Sequence, residues 1–413
     1  MSAIQKRLSN MEVRFDESEV IVIDMGSGFI KAGYSGEDLP RVVIPTVIGE
    51  RENTVEDGST QADGKPNKVY SKKVGNEAFA HRSDHELYHP INRGIVTDWN
   101  KMTELLEYVF ESELQVNANQ ATVLMTDCPM SKKEDKHRMA QILFEQFKVK
   151  AFALQNTAVL SLFSTGTTTG LVAESGEGVT YTVPVFEGYA LPHAMQTIDV
   201  AGQEITNKLI EEIAETANVD QSHYHLIRDV KERMCHVAMN YQAEWERRDD
   251  ELSQEDRSYE LPSGEIIEVH QRKRITAAEG MFQPERMLGV SHLEHTNSID
   301  NGGIAYLAYK SIEKCDSDLK IQLYNNIVLA GGTTLMKHFP ERFDYELRTI
   351  ATGDAKTDII ITAALHRKNA AWVGGSMLAS FNTFNAMTIK QQEYSETTPE
   401  AEKAACILKK TIY

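Results

Sequence analysis

The chain has 413 residues, 41% of them hydrophobic and 25% charged, a composition that predicts about two to four packed units and excludes a small module, a disordered polymer or a collagen-like repeat. Lys and Arg number 43 against 61 Asp and Glu, a formal charge of -18, so the field repels phosphate backbones and anionic lipid, and direct nucleic-acid binding is not expected. Cys128, Cys235, Cys315 and Cys406 make no CxxC pair or zinc-ligand spacing, the start MSAIQKRLSN has no apolar core, and no run reaches about 18 apolar residues; the prediction is a soluble intracellular protein in a reducing compartment, with no membrane insertion.

In chain order, VIVID (20–24), MGSG and FIKAGYSG read as strand, glycine turn and strand. Polar residues 50–73 read as a surface insertion. Met102, Leu105, Leu106, Val109 and Phe110, then Met139, Ile142, Leu143 and Phe147, recur at helical spacing and predict two amphipathic helices flanking a buried strand at 121–125. The hairpin grammar returns as GLVAE (170–174), SGEG and VTYTVPVFEG. Ile205, Leu209, Ile210 and Ile213 mark one further helix, and Ile227, Val230, Met234 and Val237 another. Residues 244–257 and 290–303 read as further surface insertions, while NNIVLAGGTTLM and DIIIT (358–362) each supply a strand. The alternation predicts an α/β protein, and the repeated hairpin predicts two related halves.

Asp24-Met25-Gly26-Ser27-Gly28 and Glu174-Ser175-Gly176-Glu177-Gly178 share one design, an acid at a strand end followed by glycines that let successive N–H groups converge on an anion. One such turn is explained by a tight hairpin. Two facing each other would clamp a polyphosphate, with Mg²⁺ or Ca²⁺ compensating the acids. The residues around Gly58, Gly64 and Lys65 miss P-loop spacing, and Lys31 stands where a GxGxxG motif needs its third glycine. Gly331-Gly332-Thr333-Thr334 closes a strand and admits a flat ring or phosphate near the backbone. Arg228, Lys231 and Glu232 lie off their helix's apolar stripe, where spacing alone favours a solvated face with an Arg228–Glu232 pair.

Through VIDMGSGFIKAGYSGEDLPR, HPINRGIVTDWNKM, SGEGVTYTVPVFEGYALPHA, VAGQEIT, VKERMCHVAMNY, VLAGGTTLM and WVGGSMLASFNTF, the sequence resembles actin and the actin-related proteins. The resemblance implies the actin-like ATPase superfold, two duplicated α/β domains around a cleft for ATP or ADP with a divalent cation. It implies phosphate contacts from Gly26, Ser27, Gly28 and Lys31 on one side and Gly176, Glu177, Gly178 and Val179 on the other, with Asp24, and Glu174 opposite it, facing the hydrated metal. Lys231, Glu232, Gly331, Gly332, Thr333 and Lys368 would border adenine and ribose. The implied subdomains are 1–45 with 90–164 and 370–413, then 46–89, then 165–200 with 289–369, and 201–288.

The departures concern catalysis and polymer contacts. Where the family has a water-positioning Gln, a metal-orienting Asp and a His, this chain has Thr157, Glu174 and Tyr181; hydrolysis depends on positioning, so it is expected to be weak or lost. Glu177 likewise replaces an Asp, and Met25 an Asn. The polymer-contact loop at 50–73 is longer and acidic, and 287–303 and 395–413 are extended. The implied partner groove keeps Phe163, Gly166, Thr168, Tyr189, Val373, Met377, Leu378 and Phe381, although each could equally fill a core. The expectation is a divergent actin-related structural or regulatory subunit of a cytoskeletal assembly with actin, actin-related proteins or other cytoskeletal subunits, cytoplasmic or in an axonemal or nuclear complex. The alternatives are a polymerising actin with ATPase activity and, with less support, a sugar kinase of the same superfold.

Overall fold

The computed structural model describes residues 20–54, 68–215, 217–247, 258–261, 264–288, 302–351 and 358–397. Two six-stranded sheets organise it, each with its own hydrophobic core. In the first, Val20–Met25 pairs antiparallel with Phe29–Tyr34, placing Asp24 opposite Lys31, and on its other edge runs parallel to Thr122–Asp127, which in turn runs parallel to Ala151–Asn156. In the second, Gly170–Ser175 pairs antiparallel with Thr180–Phe186, placing Glu174 opposite Tyr181, and runs parallel to Ile327–Ala330, beside Ile361–Thr362. The predicted duplication is therefore present in topology: each hairpin feeds parallel strands through a helical crossover.

The amphipathic helices fold where the apolar spacing places them. Asp98 caps Trp99–Tyr108 by accepting from the N–H groups of Asn100 and Lys101 at 3.0 Å each, and the helix buries Met102, Leu105 and Leu106 against the first sheet. Helix Thr157–Phe163, which starts where the first sheet's strand Ala151–Asn156 ends, packs on helix Ala370–Ala379. At Gly374 an added Cβ would fall 1.9 Å from the Leu160 carbonyl oxygen, so only glycine permits this approach. Fully buried Trp372 donates its indole N–H to the Val22 oxygen at 3.0 Å, tying the helix to the first sheet.

Three predicted elements need correction. The stretch 50–73 is not loop at its ends: Ile48–Thr54 and Lys68–Val74 form an antiparallel hairpin, and residues 55–67 lie outside the described residues. The helix marked by Ile227 ends at Met234; Val237 is buried beyond it, its N–H donating to the Lys337 oxygen at 3.0 Å. Of DIIIT, only Ile361 and Thr362 pair as strand. The insertion at 244–257 begins within the short helix Tyr241–Trp245, and residues 248–257, 289–301 and 398–413 lie outside the described residues.

Candidate functional site: a cleft closed by two glycine turns

The two turns have the same backbone closure. Gly26 N–H donates to the Phe29 oxygen at 3.1 Å, and Gly176 N–H to the Val179 oxygen at 3.0 Å. They meet face to face. A Cβ on Gly28 would lie 2.8 Å from the Glu177 Cβ, and one on Gly178 2.7 Å from the Ser27 Oγ, so side chains at these positions would force the turns apart. Ser27 Oγ accepts from Gly94 N–H at 2.8 Å, while Gly202 and Gln203 N–H groups donate to the Gly176 and Glu177 oxygens at 3.0 and 2.7 Å. Each turn is held from behind. Between them lies a cleft of about 310 Å³ lined by every residue that the sequence assigned to phosphate, base, metal and catalytic roles, together with Phe29, Gly94, Cys128, Leu335 and Met336, which it did not single out.

On the first sheet, buried Asp24 is paired with Lys31 Nζ at 2.7 Å and accepts from Thr126 Oγ1 at 2.8 Å. On the second, the equivalent acid meets no cation at that register. Glu174 accepts from Ser161 Oγ at 3.1 Å and stands cross-strand from Tyr181, whose hydroxyl is 2.7 Å from Thr157 Oγ1. Asn156 caps the helix that Thr157 opens, accepting from Ala158 N–H at 2.9 Å, and thereby fixes the Thr157 position. Burial pushes the Glu174 carboxyl above its ordinary range and the Asp24 charge pushes it further, with Tyr181, Lys31 and Ser161 opposing. Tyr181, 3% exposed, is driven well above the usual phenol range by burial and by Glu174. It stays protonated and cannot serve as a base.

Glu177 behaves oppositely. Burial pushes it up, but Lys231, the Tyr224 hydroxyl and Arg228 outweigh burial and leave it below the ordinary carboxylate range. Lys231 is buried, with Nζ 3.6 Å from Glu177 and 2.8 Å from the Gly202 oxygen, which overturns the solvated-face reading of its helix. The Arg228–Glu232 pair is also absent: the Arg228 guanidinium lies 4.7 Å from the Phe29 ring. At the far end of the cleft, Gly331 has φ 83°, and a Cβ there would fall 2.2 Å from the Ser175 oxygen. Thr333 Oγ1 donates to the Gly176 oxygen at 2.7 Å, and Arg367, unmarked by sequence reasoning, ties the same turn through Thr334 at 2.9 and 2.7 Å.

Among the described residues no group of three or more His, Cys, Asp or Glu side chains could by itself ligate a metal. Asp24 and Glu174 nevertheless fit a divalent ion held through water and phosphate, because Mg²⁺ keeps several waters and needs only one or two carboxylates. A cation between them would also relieve the repulsion that raises Glu174. Outside the cleft, Phe163 and Phe381 meet edge to face at 5.8 Å, Tyr189 is exposed, and Met377 and Leu378 are half-buried. The Gly188 N–H donates to the Thr168 oxygen at 2.7 Å, bringing the Gly166–Thr168 loop beside Tyr189. Val373 departs from the expected groove, since it packs in a core with Val20, Val22 and Trp372.

Two duplicated sheets, joined face to face by matched acid-and-glycine hairpins, define a protein of the actin-like two-domain fold class. The Actin family model matches residues 15–225 and 220–406, nearly the whole chain, and the chain belongs to the actin family. Members of this family generally bind nucleotide and a divalent metal.

Proposed function

We propose that this protein is a structural or regulatory member of the actin family that holds ATP or ADP with a divalent cation between its two lobes, hydrolyses it weakly or not at all, and acts within a larger cytoskeletal assembly. The observation that carries the reading is the hydrogen-bonded pair Thr157–Tyr181 with Glu174 cross-strand from Tyr181, inside a cleft lined by both glycine turns. Ser27, Gly28, Lys31 and Gly178 offer donors to phosphate oxygens beside the Gly176 turn, Asp24 and Glu174 orient the hydrated cation, and Lys231, Gly331–Thr333 and Lys368 flank the base and ribose. The metal would supply charge neutralisation at the phosphates. The Thr157 and Tyr181 hydroxyls satisfy each other instead of presenting an acceptor to an attacking water, and a neutral phenol there has no capacity to take a proton near neutral pH.

Nucleotide of this kind stabilises by mass action, as a cofactor joining two lobes, without turnover. The test is to denature the purified full chain, quantify released nucleotide by chromatography, and follow phosphate release from ATP-loaded protein. One equivalent of nucleotide and negligible release are expected; an empty cleft, or turnover comparable to conventional actin, would reject the reading. The polymerising alternative is separated by pelleting in polymerising salt, where the proposed protein stays in the supernatant.

A further inference from the structure

Above the glycine turns lies a second chamber of about 610 Å³, sharing only Ser27, Gly28 and Glu177 with the cleft below. One wall carries Phe79, Arg82 and His89, and the other Gln203, Asn207 and the start of helix Tyr224–Met234. Two arginines line it. Elsewhere Arg41, Arg51, Arg93, Arg233, Arg342 and Arg348 each lie within 3.0 Å of a carboxylate, and Arg138, Arg272, Arg286 and Arg367 are held by amide, carbonyl, hydroxyl or ring partners. Among the described residues neither Arg82 nor Arg228 has a carboxylate in ion-pair range. Arg82 donates only to the Phe79 oxygen, at 3.0 Å, and Arg228 stacks over Phe29 and Phe79 at 4.7 and 5.7 Å.

Arg82 is held at the Phe79 carbonyl and Arg228 over the Phe79 ring, so both guanidiniums line the chamber beside this one residue. The other face of the arrangement is closed by His225, whose ring stacks on Phe79 at 5.0 Å with 9° between planes. Arg82, His225 and Arg228 line the one chamber, and burial together with the Arg82 and Arg228 charges holds His225 down to about 4. The carboxylate lining the chamber, Glu177, is already engaged by Tyr224 and Lys231. Gln203, Asn207, Gln221 and Ser222 add neutral polar groups.

We propose that this chamber is a second binding site, distinct from the nucleotide cleft, for a compact phosphate-bearing small molecule seated on Arg82 and Arg228. Planar guanidinium forks match phosphate oxygens; stacking on Phe29 and Phe79 orients Arg228 in advance, and the hydrogen bond to the Phe79 oxygen orients Arg82. Inorganic phosphate and a phosphomonoester share the recognising group. The size of the chamber and its amide lining favour the phosphomonoester, whose polar body would meet Gln203 and Asn207.

The test is calorimetric titration of the full chain, with Mg·ATP saturating, by inorganic phosphate in one arm and glycerol 3-phosphate in the other. Saturable binding, weakened at least about tenfold by Arg82→Gln and partly kept by Arg82→Lys, is expected, with nucleotide content and melting temperature unchanged; the tighter probe identifies the source. The proposal is overturned if neither probe binds, if Arg82→Gln leaves binding intact, or if binding disappears when ATP fills the cleft. Since Arg82 lines the chamber and not the cleft, loss of nucleotide from wild type would count against the proposed function and not against this site.

Discussion

The two hairpins are the same backbone with different chemistry. In the first, the acid at the penultimate strand pair, Asp24, faces Lys31 and forms an ion pair at 2.7 Å; in the second, the corresponding acid, Glu174, faces Tyr181, whose neutral hydroxyl bonds to Thr157. The turns that follow close at 3.1 and 3.0 Å with the same register. In the proposed reading backbone N–H groups on both sides would hold phosphate, while the changed side chains come from both sheets, Thr157 from the helix that follows strand Ala151–Asn156 and Glu174 and Tyr181 from the second hairpin. On that reading binding and turnover would be separable, since backbone N–H groups would supply the first and side chains the second.

The largest effect should come from breaking the ion-paired half. Lys31→Met leaves buried Asp24 without its cation beside an already repelled Glu174, and loss of one member of a buried pair costs about 3–5 kcal/mol; thermal unfolding should show a large fall in stability together with loss of bound nucleotide. Gly178→Val drives a side chain into Ser27 Oγ, 2.7 Å from the Cβ position. Overpacking of this kind costs about 1–3 kcal/mol, roughly tenfold to hundredfold in nucleotide affinity, and a fluorescent-nucleotide displacement assay measures it.

At Tyr181 and Glu174 the effects are smaller. Tyr181→Phe removes the hydroxyl bonded to Thr157 Oγ1 at 2.7 Å and should cost about 1–2 kcal/mol in denaturant unfolding without emptying the cleft. Glu174→Gln should act in opposite directions by state: it removes a repelled carboxylate, raising the melting temperature of metal- and nucleotide-free protein by about 1–2 °C at neutral pH, and it shrinks the further gain on adding Mg²⁺ and nucleotide. The sign follows from linkage. A carboxyl held above its unfolded value binds its proton more tightly when folded, so its favourable contribution is present at low pH and is lost as pH rises from the unfolded value through the folded one. The free protein should lose this increment on that rise and the Gln variant should not. If Asp24→Asn reproduced the same behaviour without affecting metal-dependent nucleotide retention, the two acids would be equivalent and the comparison would fail.

Much of this site was legible in the sequence because it lies in short local patterns. An apolar run ending in acid and glycines specifies both a hairpin and its turn, and the repetition at Glu174–Gly178 points to duplication. What remained hidden depends on distant chain segments meeting. Nothing in local spacing connects Thr157 with Tyr181, or Gly94 with Ser27, since those contacts exist only once the sheets face each other. For the same reason spacing alone favours a solvated face for Lys231 and Arg228, and only the family resemblance sets Lys231 beside the base: helical periodicity marks one face as apolar but is blind to the Glu177 turn and the Phe29 and Phe79 rings that cover the other. The helix at Ile227 was extended to Val237 because a buried residue beyond a helix end mimics another turn of its stripe.

The central claim is that side-chain replacement, not loss of the cleft, limits turnover. Single-turnover phosphate release should be measured on ATP-loaded wild type and on Thr157→Gln/Glu174→Asp/Tyr181→His, with bound nucleotide confirmed in each. If positioning is what was lost, the triple variant releases phosphate on the order of 100-fold faster than wild type at equal nucleotide content. Wild type releasing phosphate as fast as the triple variant would contradict the account.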